Sequence, residues 1–272
     1  MSRRSDLMRS VLVLGSSVAR GEGASCPETK GWARLVAEKG TASNSFSTVN
    51  QGLNGTTTEH WKAILANPQM RLQVLGRDVC EGIGKFNFII MSLSLANEGL
   101  WQTTNEQQIR MMEKEFCDRY MEIANILRSL TAGGAGDPDG FNKGPRDGGF
   151  ESSGSGSPSI IMCGPYPNSF YKRCHLESLK RVSSAFRERW DTAKKPNEGN
   201  QEDQVVPEGA KTGVIYLDFM EDGVLQQPDT ARWLQGLDED PGHPNDEGHA
   251  VMFDIFWKRM EHVFIPSRRT TM

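Results

Sequence analysis

The chain has 272 residues, 37% of them hydrophobic and 24% charged, with 31 basic and 35 acidic side chains. That length suits one α/β domain carrying long insertions, and the modest apolar share places several polar segments outside the core. The net charge of −4 offers no basic footprint for DNA or RNA, and no apolar run approaches the roughly 20 residues that span a bilayer.

The basic stretch Met1–Ser10 is followed only by the short apolar run Val11–Leu14, which reads as a first strand rather than a signal-peptide core. A soluble, cytoplasmic protein is expected. Further apolar runs rich in β-branched residues follow at Phe46–Val49, Phe86–Met91, Ser159–Met162 and Val214–Leu217. Near-continuous apolarity, instead of alternation, marks strands covered on both faces of a parallel sheet. Helical segments lie between them, at Gly31–Glu38, Glu59–Leu65 and Leu176–Trp190. The longest is drawn by Ile109, Met112, Phe116, Tyr120, Ile123, Leu127 and Leu130, which recur at steps of three and four and so form one stripe. Met252, Ile255, Phe256, Met260 and Val263 repeat the pattern near the C-terminus.

Strand–helix alternation predicts a three-layer α/β/α sandwich with a five-stranded, mostly parallel sheet of flavodoxin-like type. The glycine-rich segment Thr131–Pro158 and the polar segment Lys194–Lys211 offer little apolar surface and read as loops. Strands on either side of both complete one sheet, so residues 1–272 form a single domain.

Ligands of open parallel sheets bind beyond the carboxyl ends of the strands. After the first strand comes Gly15-Ser16-Ser17, after the second Asn50-Gln51-Gly52-Leu53-Asn54-Gly55, and after the third Leu95-Ala96-Asn97-Glu98. Late in the chain stands Asp240-Pro241-Gly242-His243. Together these supply what acyl transfer to a serine needs. A hydroxyl is a weak nucleophile until a base takes its proton, a task for His243. Asp240, three residues earlier, can fix the imidazole tautomer and stabilise the imidazolium. The backbone N–H groups of Ser17 and Gly55 and the side-chain amide of Asn97 can meet a developing oxyanion.

The ordered set resembles the SGNH (GDSL-type) hydrolase superfamily. Gly15-Ser16-Ser17 matches its Gly-Asp-Ser turn, which makes Ser17, rather than Ser16, the implied nucleophile. Asn50 to Gly55 matches the second block, Asn97 the third, and Asp240 with His243 the last. Ser16 departs from the usual Asp, and Leu95-Ala96-Asn97-Glu98 departs from Gly-x-Asn-Asp. These departures touch the hydrogen bonding around the nucleophile turn and the width of the acyl pocket. The resemblance implies a serine esterase with catalytic Ser17, Asp240 and His243 and an oxyanion hole of Ser17, Gly55 and Asn97. Its substrate would be a small-molecule or carbohydrate ester with a short acyl group. An acyltransferase using the same site, or a non-catalytic binding protein on the same fold, are the alternatives.

Other polar residues receive structural readings. Gly15–Gly23 fits neither nucleotide-binding glycine pattern. No His, Asp, Glu or Cys cluster has ligand spacing, so neither metal nor cofactor is expected. Cys26, Cys80, Cys117, Cys163 and Cys174 contain no CxxC pair and read as reduced, mostly buried thiols. His249 reads as a surface or capping residue, and His60, His175 and His262 have no carboxylate at a telling spacing. A glycan on the sequon Asn54-Gly55-Thr56 would block the oxyanion site, in keeping with a protein that is not secreted.

Overall fold

Val11, Leu12, Val13 and Leu14 are all fully buried, as a strand sandwiched between two helical layers requires. The computed structural model describes residues 9–42, 46–132, 158–167, 171–190, 214–220 and 242–264. Five strands form its sheet: β1 (Arg9–Gly15), β2 (Phe46–Gly52), β3 (Phe88–Ser92), β4 (Ser159–Cys163) and β5 (Val214–Leu217). The helices are α1 (Ser17–Arg20), α2 (Pro27–Lys30), α3 (Trp32–Ala42), α4 (Thr58–Ala66), α5 (Pro68–Leu75), α6 (Arg77–Gly82), α7 (Glu106–Ala132), α8 (Arg173–Trp190) and α9 (Asp246–Phe264).

The strand order is β2-β1-β3-β4-β5 and every pairing is parallel. The sheet is therefore wholly parallel among the described residues, where a mostly parallel one was expected. The reason is that each described connection between successive strands runs through at least one helix, which returns the chain to the starting edge. This is the flavodoxin-like order, with its switch point between β1 and β3. Gly15 pairs with both Gly52 and Ser92. The turns leaving β1, β2 and β3 therefore start at one level, at the crevice where such sheets bind ligands.

The α3–α9 pair covers one sheet face, while α4, α7 and α8 cover the other. On the first, Trp32 packs 5.5 Å from Phe256 and Phe88 lies 4.4 Å from Phe264. On the second, Tyr120 lies 5.3 Å from Phe186, which lies 5.5 Å from Tyr216. Burial of each such ring contributes roughly 1.5–3 kcal/mol. The predicted stripe of α7 holds for Ile109, Phe116, Tyr120, Ile123 and Leu127, whereas Met112 and Leu130 are only half-buried. Glu113 shares that buried stripe because Arg181 of α8 reaches it, with Nε 3.0 Å from its Oε1. Tyr120 Oη lies 2.8 Å from the carbonyls of both Met91 and Cys163, so its proton is shared between the carboxyl ends of β3 and β4.

One boundary and one set of burials differ from expectation. β3 begins at Phe88 rather than Phe86, because Ile83–Lys85 forms a 3₁₀ turn that delays entry into the sheet. Of the five free cysteines only Cys163, inside β4, is buried; the other four lie on helices or a loop and are partly exposed. Nearly all of the Thr131–Pro158 segment and all of Lys194–Lys211 lie outside the described residues.

Candidate active site

The turn after β1 is made by backbone. Ser16 leaves β1 in an extended conformation, with its N–H donating to the Ser92 carbonyl at 3.0 Å. Ser17 then opens α1, and the N–H groups of Gly21 and Glu22 both return to its carbonyl at 3.0 Å. The departure from Asp at position 16 thus leaves the turn held through main-chain bonds to β3. The Ser17 side chain is directed at His243: its Oγ lies 2.8 Å from His243 Nε2. An unprotonated Nε2 accepts the hydroxyl proton at that distance.

His243 stands just ahead of α9. Asn245 starts that helix, its Oδ1 accepting from the Gly248 N–H at 2.9 Å and its carbonyl from the His249 N–H at 2.9 Å. The segment 21–26 packs against it. Gly23 has φ +89, and a Cβ there would stand 2.6 Å from the His243 Cβ and 2.3 Å from the Pro244 carbonyl oxygen. Only glycine allows that approach and that backbone.

Two residues of α9 hold the segment in place. Asp246 accepts from the Ser25 N–H at 2.7 Å, the Ser25 hydroxyl at 2.8 Å and the Lys30 ammonium at 2.6 Å. Partial burial opposes its ionisation, but the bonds from Lys30 and Ser25 outweigh that and hold its carboxyl below the usual range. His249 is fully buried, which corrects the surface reading. Its Nε2 lies 2.9 Å from the Glu22 carbonyl and its Nδ1 accepts the Trp32 N–H at 3.3 Å. Burial pushes its pKa down to about 4, so it works as a neutral crosslink between α9, the segment and α3.

The oxyanion candidates meet on the adjoining turns. The Ser17 and Gly55 backbone N–H groups make no hydrogen bond among the described residues. Gly55 has φ +69, and a Cβ there would meet nothing within 4 Å, so glycine is required by conformation rather than by crowding. Asn97 donates one amide hydrogen to the Thr56 carbonyl at 2.9 Å, leaving its second for another acceptor. Glu98, the departure from Asp, accepts the Thr58 N–H at 2.6 Å and so ties the start of α4 to the turn after β3. Trp61 Nε1 lies 3.1 Å from the Gly15 carbonyl and 3.0 Å from Thr56 Oγ1, joining the second turn to the first.

The structure therefore brings Ser17, His243, Gly55 and Asn97 to one sheet edge. Asp240 lies outside the described residues. His60 belongs to a capping box with Thr57 on α4, and His175 is buried, its Nε2 2.6 Å from the Thr103 carbonyl. Sequence reading missed Gly23, Asp246 and His249. No local pattern marks them, because the partners that give Asp246 and His249 their roles (Ser25, Lys30, Glu22 and Trp32) lie more than two hundred residues away. Among the described residues no group of three or more His, Cys, Asp or Glu could hold a metal, and no helix is long and apolar enough to cross a membrane.

No family model matches this sequence, and no curated protein does. Solved structures do resemble it in fold. The all-parallel sheet flanked by helices matches the SGNH (GDSL-type) hydrolase fold of these structures. The chain is similar to the lipase Lip_vut3 from a goat rumen metagenome, at 14% identity and TM-score 0.58 over 92% of this chain and 97% of that one. A protein of the G-D-S-L family from Desulfitobacterium hafniense DCB-2 aligns at 13% identity and TM-score 0.50, over 92% of this chain and 98% of that one. A two-domain esterase (CEX) active on acetylated mannans aligns at 14% identity and TM-score 0.50, over 97% of this chain and 52% of that one.

Proposed function

We propose that the protein is a serine esterase that cleaves a carboxylic ester carrying a short acyl group, with the alcohol side a small molecule or a carbohydrate. The observation that carries this reading is the 2.8 Å approach of His243 Nε2 to Ser17 Oγ. In it, Ser17 attacks the ester carbonyl while His243 takes its proton. The Ser17 and Gly55 N–H groups and the Asn97 amide receive the charge that develops on the carbonyl oxygen. His243 returns the proton to the departing alcohol, leaving an acyl-serine. Water, deprotonated by His243, then releases the acid. Asp240 has the role of orienting the imidazole. The mannan-active relative supports a sugar-borne acyl group as the substrate class, as does the lack of a long apolar lid segment in the sequence.

The test is a panel of acyl esters and a fluorophosphonate probe applied to wild type, Ser17→Ala and His243→Ala. Labelling and hydrolysis by wild type, with both lost in Ser17→Ala and turnover lost in His243→Ala, is the expected result. Folded wild-type protein that takes no label would point to a non-catalytic binding protein. Product analysis with added alcohol distinguishes hydrolysis from transfer.

A further inference from the structure

Glu22 reaches in two directions. Its carbonyl accepts from buried His249 of α9, at 2.9 Å. Its carboxylate accepts from the side-chain amide of Asn54, with Oε2 2.9 Å from Nδ2. Asn54 immediately precedes Gly55, whose N–H faces no acceptor among the described residues. On Glu22's other side, Gly23 packs against the Pro244 backbone and the His243 Cβ. One residue thus stands between the segment that carries the base and the turn that carries an oxyanion donor, two parts of the chain joined to each other by no strand pairing.

We propose that Glu22 is a positioning residue whose carboxylate, bonded to Asn54, sets the Gly55 N–H relative to Ser17 and His243. This rests on the serine-esterase reading. Three observations favour it over an incidental surface contact. The bond is charge-assisted, and so stronger than one between neutral groups. The Glu22 main chain is anchored at one end by His249 and closed at the other, where its own N–H returns to the Ser17 carbonyl at 3.0 Å. The far side of the Gly55 turn is already anchored, by Asn97 on the Thr56 carbonyl and Glu98 on the Thr58 N–H. Asn54–Gly55 is the part of the turn that remains, and Glu22 is what reaches it.

A donor held slightly out of place weakens stabilisation of the transition state more than binding of the ground state. The experiment compares Glu22→Ala, Asn54→Ala, the double variant and Glu22→Gln with wild type on p-nitrophenyl acetate, with Ser17→Ala as control. Each single alanine variant should lower kcat by about tenfold with KM nearly unchanged, since complete loss of a donor is worth 10²- to 10³-fold. The double variant should also fall about tenfold rather than a hundredfold, because both changes remove one interaction. Glu22→Gln keeps an oxygen acceptor for Asn54 and should restore most of kcat. Hydrogen exchange on the same proteins should quicken at Gly52–Thr57 in Glu22→Ala. Alanine variants that match wild type in kcat, or exchange at Gly52–Thr57 that stays unchanged, would overturn the assignment of Glu22. Activity retained by Ser17→Ala would instead overturn the esterase reading, and the exchange result would still judge the Glu22–Asn54 link.

Discussion

Gly23 is the residue that brings the His243 segment close to the turn after β1. Its left-handed backbone and its contacts of less than 3 Å with a hypothetical Cβ leave no room for alanine. Gly23→Ala must therefore either strain the chain or push the His243–Pro244 segment away. Strain of this kind is worth about 1–3 kcal/mol, which urea denaturation measures. The loss of ester turnover, assayed far below the melting temperature, should exceed what that destabilisation explains, because His243 is displaced from Ser17. Unchanged turnover alongside reduced stability would mean that the loop, not the histidine, gives way. Glu98 makes the opposite point. Its carboxylate accepts the Thr58 N–H, so this side chain carries no reacting atom and yet ties the start of α4 to the turn after β3.

Two asparagine caps separate helix stability from site geometry. Asn245 starts α9 and stands two residues after His243, while Asn67 starts α5, its Oδ1 accepting from the Gln69 and Met70 N–H groups at 2.9 and 3.1 Å. Replacing either by alanine should lower stability by about 1 kcal/mol, the usual worth of such a cap. Only Asn245→Ala should also reduce kcat, because the start of α9 positions His243, whereas α5 lies beyond α4 from the site. Equal activity in the two variants would show that Pro244 and the Asp246 clamp suffice to hold His243. The long α7 illustrates a different division of labour. Its buried stripe was legible from the three-four spacing, but that Glu113 belongs to it was not, since only α8 supplies Arg181.

At the scale of the whole molecule, acid should act through His249. Its pKa is displaced downward, from 6.5 to about 4, so between those values the unfolded chain binds a proton that the folded chain refuses. Stability is therefore complete above pH 6.5 and falls as pH drops toward 4, by about 3 kcal/mol for this group. Asp246 acts in a lower window: its depressed carboxyl contributes above the ordinary value of 3.8 and loses that contribution only below it. Denaturation of wild type and His249→Gln across pH 7 to 4 tests the assignment. The variant should start less stable and show a shallower pH slope, by close to one proton. Parallel slopes would place the sensitivity elsewhere.

Much of the architecture was determined by sequence alone. Five apolar runs separated by helical stripes permit little except a parallel sheet between helices, because continuous apolarity must be covered twice. The order of the small-residue turns likewise pointed to Ser17, Gly55, Asn97 and His243, since strand ends in such a sheet converge. Local pattern could not reveal which groups hold those turns in register. His249 looked like a surface helix residue because nothing nearby in sequence announces that Glu22 and Trp32, more than two hundred residues earlier, cover it. Ser25, Lys30 and Asp246 form a clamp only once α9 lies beside α2. Residue types and their spacing determined which chemistry is available; the packing of distant segments decided which atoms lie within 3 Å of one another, because hydrogen bonds depend on separation in space and not along the chain.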